Sequence, residues 1–190
     1  YRIEATDQPY RVAFRSTPYR FLLVLSHMRS GSSLLTHLLT TNPELIGYGE
    51  THTNYANADD FRALLKKVYW HGQDFRPLAD MQNLRMDHQY VMDKVLHNKK
   101  FLNHDFLQSE QVYAIFLLRE PERSLASIAD LKPHWSQRDT LDYYTERMTM
   151  LVDYAQLINK PQRMLVVSYE QILGNTPQVL TTLQQFLQTQ

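Results

Sequence analysis

The stretch 19–39, YRFLLVLSHMRSGSSLLTHLL, limits the possible folds more than any other part of the chain. It opens with an unbroken apolar run, Phe21 to Leu25, which is typical of a strand buried on both faces of a parallel sheet. A turn with one glycine, Gly31, follows at once, and Ser32 and Ser33 are suited to cap a helix beyond it. That helix places leucines along one side, at positions 34, 35, 38 and 39. The sequence therefore predicts a strand, a tight turn and a helix in direct succession.

A turn between a buried strand and a helix can form an anion site. The first amide groups of a helix have no partner within the helix, and the helix dipole adds partial positive charge there. Gly31 allows a close approach of the backbone to an anion, and Arg29 adds a guanidinium whose fork matches phosphate or sulfate. An ordinary serine-capped turn stays open as the alternative, because a single glycine is a weak signal.

Strands and helices alternate along the rest of the chain. Apolar runs predict buried strands at Val112 to Leu118 and Met164 to Val167, with a further strand at Gln89 to Leu96. Helical spacing and proline positions predict helices over 57–69, 98–109, 121–131, 139–159 and 176–187. We therefore expect one α/β domain over 1–190, with 1–18 as a polar lead-in. Its parallel sheet has helices on both faces and a P-loop-like phosphate-binding turn after the first core strand.

A second candidate anion contact follows the strand that ends at Leu118. Arg119 leaves this strand, and Ser127 comes eight residues later on the next predicted helix. Ligands of parallel sheets bind at the carboxyl ends of the strands, so Arg119 and Arg29 should lie on the same edge. Hydrogen bonds to charged groups contribute about 1.5–3 kcal/mol each, enough for a few of them to hold a small anion. The alternative is a surface ion pair between Arg119 and a neighbouring glutamate.

Composition excludes several classes of function. The formal net charge is zero, which gives no sign of a nucleic acid or an acidic membrane surface as partner. The absence of cysteine rules out disulfides, thiolate metal sites and a cysteine nucleophile. The chain also lacks a membrane-length apolar run and an Asn-x-Ser/Thr sequon, and we expect a cytoplasmic location. The oligomeric state stays open.

Three segments together resemble a known family. HMRSGSSLL at 27–35, LLREPERSLAS at 117–127 and VVSYEQIL at 166–173 are similar to the three signatures of sulfotransferases that use 3′-phosphoadenosine 5′-phosphosulfate (PAPS). The first segment is of the RSGSS type, nearer to glycosaminoglycan, tyrosylprotein and bacterial sulfotransferases than to the cytosolic phenol enzymes. The resemblance implies transfer of a sulfuryl group from PAPS to an acceptor hydroxyl, with release of the bisphosphate PAP and without a metal.

The resemblance also implies which residues hold the donor. In the family, the arginine after the second signature strand and the serine eight residues later hold the 3′-phosphate, which points to Arg119 and Ser127. The Tyr169-Glu170 signature is structural in the family. The first turn cradles the 5′-phosphosulfate, which here would be the task of Arg29, Ser30, Gly31, Ser32, Ser33 and Leu34.

The base and its helpers follow from the same likeness. Glycosaminoglycan and tyrosylprotein sulfotransferases carry a glutamate base after the first helix, and Glu50 stands at that place. His52 matches a histidine that glycosaminoglycan enzymes have two residues later. Lys94 matches a lysine that stabilises the bridging oxygen or the sulfuryl group, although an ion pair with a nearby aspartate is its plainer role. His97 is a rival base, because cytosolic members use a histidine shortly after that lysine.

Two other functions stay open from the sequence. A small-molecule kinase would need G-x-x-x-x-G-K-[ST], which is missing, and its second core strand would end in an aspartate rather than Arg119. A catalytically inactive nucleotide-binding module would keep the arginines and dispense with Glu50 and Lys94.

The acceptor is a hydroxyl compound of open identity: carbohydrate, lipid or another small molecule. Candidate aromatic residues for its pocket are Tyr48, Tyr55, Trp70, His134 and Trp135. Family members commonly continue into a basic segment that closes over the adenine and 3′-phosphate, whereas this sequence ends at Gln190. We therefore expect weaker donor binding, unless that segment lies outside the sequence.

Overall fold

A five-stranded parallel sheet forms the centre of the protein. A computed structural model of the chain describes residues 3, 8, 10–47, 49–57, 59–71, 86–99 and 102–189. The sheet has the order β2-β3-β1-β4-β5, so that β1 is its central strand. The strands are β1 (Arg20–Ser26), β2 (Leu45–Ile46), β3 (Tyr90–Val95), β4 (Val112–Leu118) and β5 (Met164–Ser168). All neighbouring strands pair in parallel, and Val24 of β1 aligns with Lys94 of β3 and Ile115 of β4.

Helices connect the strands and cover both faces of the sheet. They are α1 (Ser32–Thr40), α2 (Asp59–His71), α3 (His104–Gln108), α4 (Pro121–Leu131), α5 (Gln137–Ile158), α6 (Tyr169–Gly174) and α7 (Thr176–Leu187), with a 3₁₀ turn at Pro161–Arg163. Both α5 and α7 begin with a capping contact: the Ser136 hydroxyl accepts from Asp139 N, and the Asn175 side chain accepts from Gln178 N. No helix in the described ranges is long and apolar enough to cross a bilayer.

Alternate residues of β1 belong to two separate cores. Phe21, Leu23 and Leu25 pack with α2, α3 and α5 on one face of the sheet. Leu22 and Val24 pack with α1, α6 and α7 on the other face. Because β1 is covered on both sides, its apolar run is continuous rather than alternating, as the sequence predicts. The architecture is the expected single α/β domain with helices on both faces.

Most of the predicted elements are confirmed, and the differences concern short segments. The strand β4 and the helix α4 have the predicted bounds, whereas the helix expected over 98–109 is only the five residues of α3. The two-residue strand β2 and the short helix α6 have too few residues to show a period in the sequence. The capping role expected of Ser32 and Ser33 is wrong, because Gly31 is the N-cap residue and the cap has no side-chain hydrogen bond.

Candidate active site

The turn after β1 has an unusual backbone that brings a glycine against an aromatic ring. Arg29 and Gly31 both have positive φ angles, 64° and 91°. Such a conformation costs energy at a non-glycine residue and is typical of functional turns. A Cβ atom at Gly31 would lie 2.2 Å from the ring of Tyr169, so only glycine fits there. Below the turn, the Ser26 hydroxyl donates to Leu117 O at 2.6 Å and bonds to the Ser30 hydroxyl.

The start of α1 keeps its first amide groups available. The first α1 amide with a backbone partner is that of Leu35, which donates to Gly31 O at 3.1 Å. The amides at 32–34 therefore have the arrangement that binds anions at helix starts. Ser32 and Ser33 line the cleft in front of this helix start, while the Leu34 side chain packs against the core under α1.

Two arginines from different strand ends meet beside this turn. Arg119 donates a hydrogen bond to Arg29 O at 2.9 Å, and the Arg29 Nε donates to the Ser127 hydroxyl at 2.8 Å. The Arg119 guanidinium lies 4.7 Å from the centre of the Tyr169 ring, and its buried Nε has no hydrogen-bond partner among the described residues. The ion pair considered for Arg119 is not the observed arrangement, because the neighbouring Glu120 pairs with Arg123 instead. The two candidate anion contacts thus form one group.

These residues surround an open cleft of about 450 Å³ at the carboxyl edge of the sheet. The edge collects them because β1, β3, β4 and β5 all end there. Its lining includes three basic side chains from three different strand ends: Arg29, Lys94 and Arg119. Their charges make the cleft suitable for an anionic ligand. The remaining lining residues are Met28, Gly31, Ser32, Ser33, Leu96, His97, Leu131, Lys132 and Tyr169.

Glu50 lies between His52, its expected helper, and His97, its rival as the base. Its Oε1 is 3.6 Å from His52 Nδ1 and 3.5 Å from His97 Nε2. The Glu50 side chain is only 16% exposed, and its buried Oε1 has no hydrogen-bond donor within the part of the chain that the structure describes. The rings of His52 and His97 are nearly parallel, with centres 6.1 Å apart. We call these three side chains the carboxylate–histidine cluster. His97 also lines the cleft and therefore connects the cluster to it.

A buried aspartate holds the segment that carries Glu50 and His52. Asp93 accepts from the amide and the hydroxyl of Thr51 at 2.9 and 2.8 Å, and from the Tyr55 hydroxyl at 2.5 Å. Burial raises the pKa of Asp93, and these hydrogen bonds oppose that rise. His52 follows in a left-handed conformation with φ 57°. Asp93 therefore fixes the position of the segment from the neighbouring strand β3.

Lys94 points to the start of α1 rather than to an aspartate. Its Nζ lies 3.4 Å from the Ser33 hydroxyl, and among the described residues it forms no ion pair. Its backbone amide donates to Asp93 Oδ1. The lysine thus joins the end of β3 to the start of α1.

Sequence reasoning missed two residues of α5 that hold the strand ends in place. Arg147 is fully buried and donates to Ser26 O at 2.7 Å and to Val95 O, which joins the ends of β1 and β3. Burial lowers the pKa of this guanidinium. Tyr143 accepts from Met28 N and donates to Leu96 O, both at 2.9 Å. The available signal was an arginine on the apolar stripe of a predicted helix, since a buried arginine needs partners.

The aromatic residues considered for an acceptor pocket have different locations. Tyr55 is wrong for that role, because it is completely buried and stacks on Phe106 in the core. Trp135 packs near Tyr143 and lies beside His134 on the segment after α4. Tyr48 and the side chain of Trp70 lie outside the described residues.

Comparison with solved structures identifies the fold. The chain aligns with the sulfotransferase domain from the curacin biosynthetic pathway at TM-score 0.62 and 17% identity, covering 93% of this chain and 76% of that one. It aligns with mouse sulfotransferase SULT7A1, complexed with PAP, at TM-score 0.56 and 12% identity, covering 90% and 58%. A sulfotransferase from Alicyclobacillus acidocaldarius gives TM-score 0.55 and 14% identity, covering 92% and 82%. No family model and no curated protein sequence matches the chain.

These likenesses show that the chain has the sulfotransferase fold. The expectation drawn from the three sequence segments is therefore confirmed at the level of the fold. The chain spans 58% of the length of the SULT7A1 structure.

Proposed function

We propose that the protein is a sulfotransferase that transfers a sulfuryl group from PAPS to a hydroxyl group of an acceptor. The observation that carries the proposal is the meeting of Arg29, Arg119 and Ser127 at distances of 2.8–2.9 Å beside the open start of α1. This arrangement offers positive charge and free hydrogen-bond donors from two strand ends to one small ligand. PAPS carries one phosphate on the 3′ position and a phosphosulfate on the 5′ position of its ribose. These two anionic groups match the two arginines.

The residues present suit such a donor. The buried Arg119 Nε lacks an acceptor, and a phosphate oxygen would supply one. Gly31 lets the turn pack directly against the Tyr169 ring, which lines the same cleft. Arg119 and Ser127 would hold the 3′-phosphate, and the first turn would hold the 5′-phosphosulfate. That turn comprises Arg29, Ser30, Gly31, Ser32, Ser33 and Leu34.

We assign the catalytic roles to Glu50, His52 and Lys94, of which Lys94 lines the cleft. PAPS supplies an activated sulfuryl group when bound. The oxygen of the acceptor hydroxyl forms the new bond to sulfur while Glu50 accepts the hydroxyl proton. His52 orients or relays that proton. Lys94 lies beside Ser33 and offsets the negative charge that develops on the departing bridging oxygen. The acceptor is a hydroxyl-bearing small molecule, with carbohydrates and lipids included in that class.

Thermal melting with nucleotides tests the proposal. PAP at about a hundred times its dissociation constant should add about 2.7 kcal/mol of stability, which is a rise in Tm of roughly 5–10 °C. We expect this rise with and without EDTA, and no comparable rise with Mg-ATP. Stabilisation by Mg-ATP alone would refute the proposal and favour a kinase.

Radiolabelled sulfate transfer then separates an enzyme from an inactive module. Glu50→Gln should keep the PAP-induced rise in Tm and lose transfer to a hydroxyl acceptor that the wild type sulfates, because the amide cannot take the proton. Transfer at the wild-type rate would show that Glu50 is not the base.

A further inference from the structure

We propose that the carboxylate–histidine cluster of Glu50, His52 and His97 binds a divalent transition-metal ion such as Zn²⁺, and that the bound ion blocks sulfuryl transfer. The binding step stands on the cluster alone, while the inhibitory step depends on the proposed function. Two imidazole nitrogens and one carboxylate oxygen are the donors that Zn²⁺ takes in proteins, whereas Mg²⁺ and Ca²⁺ prefer oxygen.

The spacing of the donors suits one ion. One potential ligand atom from each residue lies within 4.8 Å of the others, and Glu50 Oε1 is 3.5 and 3.6 Å from the two imidazole nitrogens. With metal–ligand bonds of about 2.1 Å, donors around a tetrahedral ion lie roughly 3.4 Å apart. The glutamate already has this separation from both histidines. The ligand atoms of His52 and His97 lie within 4.8 Å of each other, a distance that rotation of these exposed side chains can adjust.

The cluster combines a buried carboxylate oxygen with two solvent-accessible imidazoles, as a metal site requires. Glu50 Oε1 is buried without a hydrogen-bond donor, so a cation there would satisfy an otherwise costly group. The side chains of His52 and His97 are 62% and 41% exposed, which gives an ion access from solvent. Three protein ligands leave one tetrahedral position open for water.

The segment that carries Glu50 and His52 is fixed by the Asp93 side chain. Thr51, between Glu50 and His52, is buried and bonds to Asp93 through both its amide and its hydroxyl. His97 follows β3, two residues after its last residue Val95. Two ligands therefore come from a tethered segment and the third from the adjacent strand end. This arrangement reduces the ordering that metal binding would otherwise require.

A bound ion and a catalytic base exclude each other at this position. The Glu50 lone pair that coordinates a metal no longer accepts a proton from the acceptor hydroxyl. Zn²⁺ should therefore inhibit transfer reversibly, at the concentrations at which it binds, and EDTA should restore it.

Calorimetric titration of ZnCl₂ into the chelator-treated, tag-free protein tests the site directly. We expect one ion per chain, no heat from MgCl₂, and at least about tenfold weaker Zn²⁺ binding in His52→Asn and in His97→Gln. Asparagine tolerates the left-handed backbone at position 52, which protects the fold of that variant. His37→Ala, which removes an exposed histidine of α1 outside the cluster, should bind Zn²⁺ as the wild type does.

The possible results separate the two proposals. Absence of Zn²⁺ binding, or binding that His52→Asn and His97→Gln leave unchanged, would overturn the metal site even if sulfuryl transfer is found. Binding that both variants weaken, in a protein without transfer, would support the metal site and count against the sulfotransferase proposal. Full transfer by a Zn²⁺-saturated protein would overturn the inhibitory step.

Discussion

Replacement of Gly31 by alanine should damage both the fold and the donor site. The alanine Cβ would lie 2.2 and 2.6 Å from two ring atoms of Tyr169, so the ring would have to withdraw by roughly 1 Å or more. The residue would also keep φ near 91°, which costs about 1–2 kcal/mol for a residue other than glycine. Displacement of Tyr169 weakens its contact with Arg119, worth about 0.5–1 kcal/mol. We expect a loss of about 2–3 kcal/mol.

Thermal melting and PAP titration measure this loss, with two other glycines as controls. For a chain of this size, 2–3 kcal/mol lowers Tm by roughly 5–10 °C. Gly49→Ala shares the positive φ, 129°, but its Cβ would meet no atom of the described residues within 4 Å, so it should lose only the stability that the backbone conformation costs. Gly174→Ala has neither problem and should change stability by less than about 0.5 kcal/mol. If Gly31→Ala has the same Tm as Gly49→Ala and binds PAP like the wild type, the contact of Gly31 with Tyr169 contributes neither to stability nor to PAP binding.

Three further predictions concern the charged and buried polar groups. Arg119→Lys keeps the positive charge but loses the planar fork, so calorimetry should give about tenfold weaker PAP binding with Tm nearly unchanged; equal affinity would contradict the phosphate contact. Asp93→Asn should lower stability by about 1–3 kcal/mol and reduce transfer more than PAP binding, because Thr51 and with it Glu50 lose their anchor. A kinetic assay in which only PAP affinity changes would refute this. Burial lowers the pKa of His27 below its ordinary 6.5, so the His27 imidazole binds a proton more readily in the unfolded chain than in the folded protein. The stability that His27 contributes is therefore complete above about pH 6.5 and is lost as the pH falls through the lowered folded pKa. Denaturant unfolding should show that His27→Gln loses less stability than the wild type between pH 7 and pH 5, by at most about 1.4 kcal/mol per pH unit; parallel losses would refute the assignment.

Much of the fold could be predicted because burial leaves a clear pattern in long elements. The central strands are apolar throughout, and Pro121 marks the start of α4. Short elements carry no such pattern: β2 has two residues, and α6 is stabilised by a capping box at Ser168 rather than by an apolar stripe. No period in the sequence distinguishes these segments from loops.

Less of the site could be predicted, because its contacts join distant parts of the chain. The sequence places Arg29 and Arg119 on one edge, but nothing in it shows that Arg29 bonds to Ser127 or that Tyr169 lies against Gly31. The ring of Tyr169 forms a wall of the cleft, a position that the signature alone does not reveal. Which residues act in sulfuryl transfer stays a prediction.

The positions of His52 and His97 relative to Glu50 also could not be predicted from the sequence. Sequence spacing ranks His97 as a rival of Glu50, whereas the structure places His97, His52 and Glu50 within one cluster. Their proximity depends on how β2 and β3 pair, through the register of Leu45 with Tyr90 and Ile46 with Val91. Pairing of this kind is decided by packing of the whole sheet and not by local sequence.

As a sulfotransferase, the protein would bind both phosphate ends of a single adenine nucleotide in one cleft. Calorimetric titration of the wild type with PAP and with adenosine 5′-phosphate tests it most directly, because the two ligands differ only in the 3′-phosphate. With Arg119 in the lining of the cleft and Ser127 bonded to Arg29 beside it, we expect PAP to bind at least about tenfold more tightly. Equal affinities for the two nucleotides would contradict the claim.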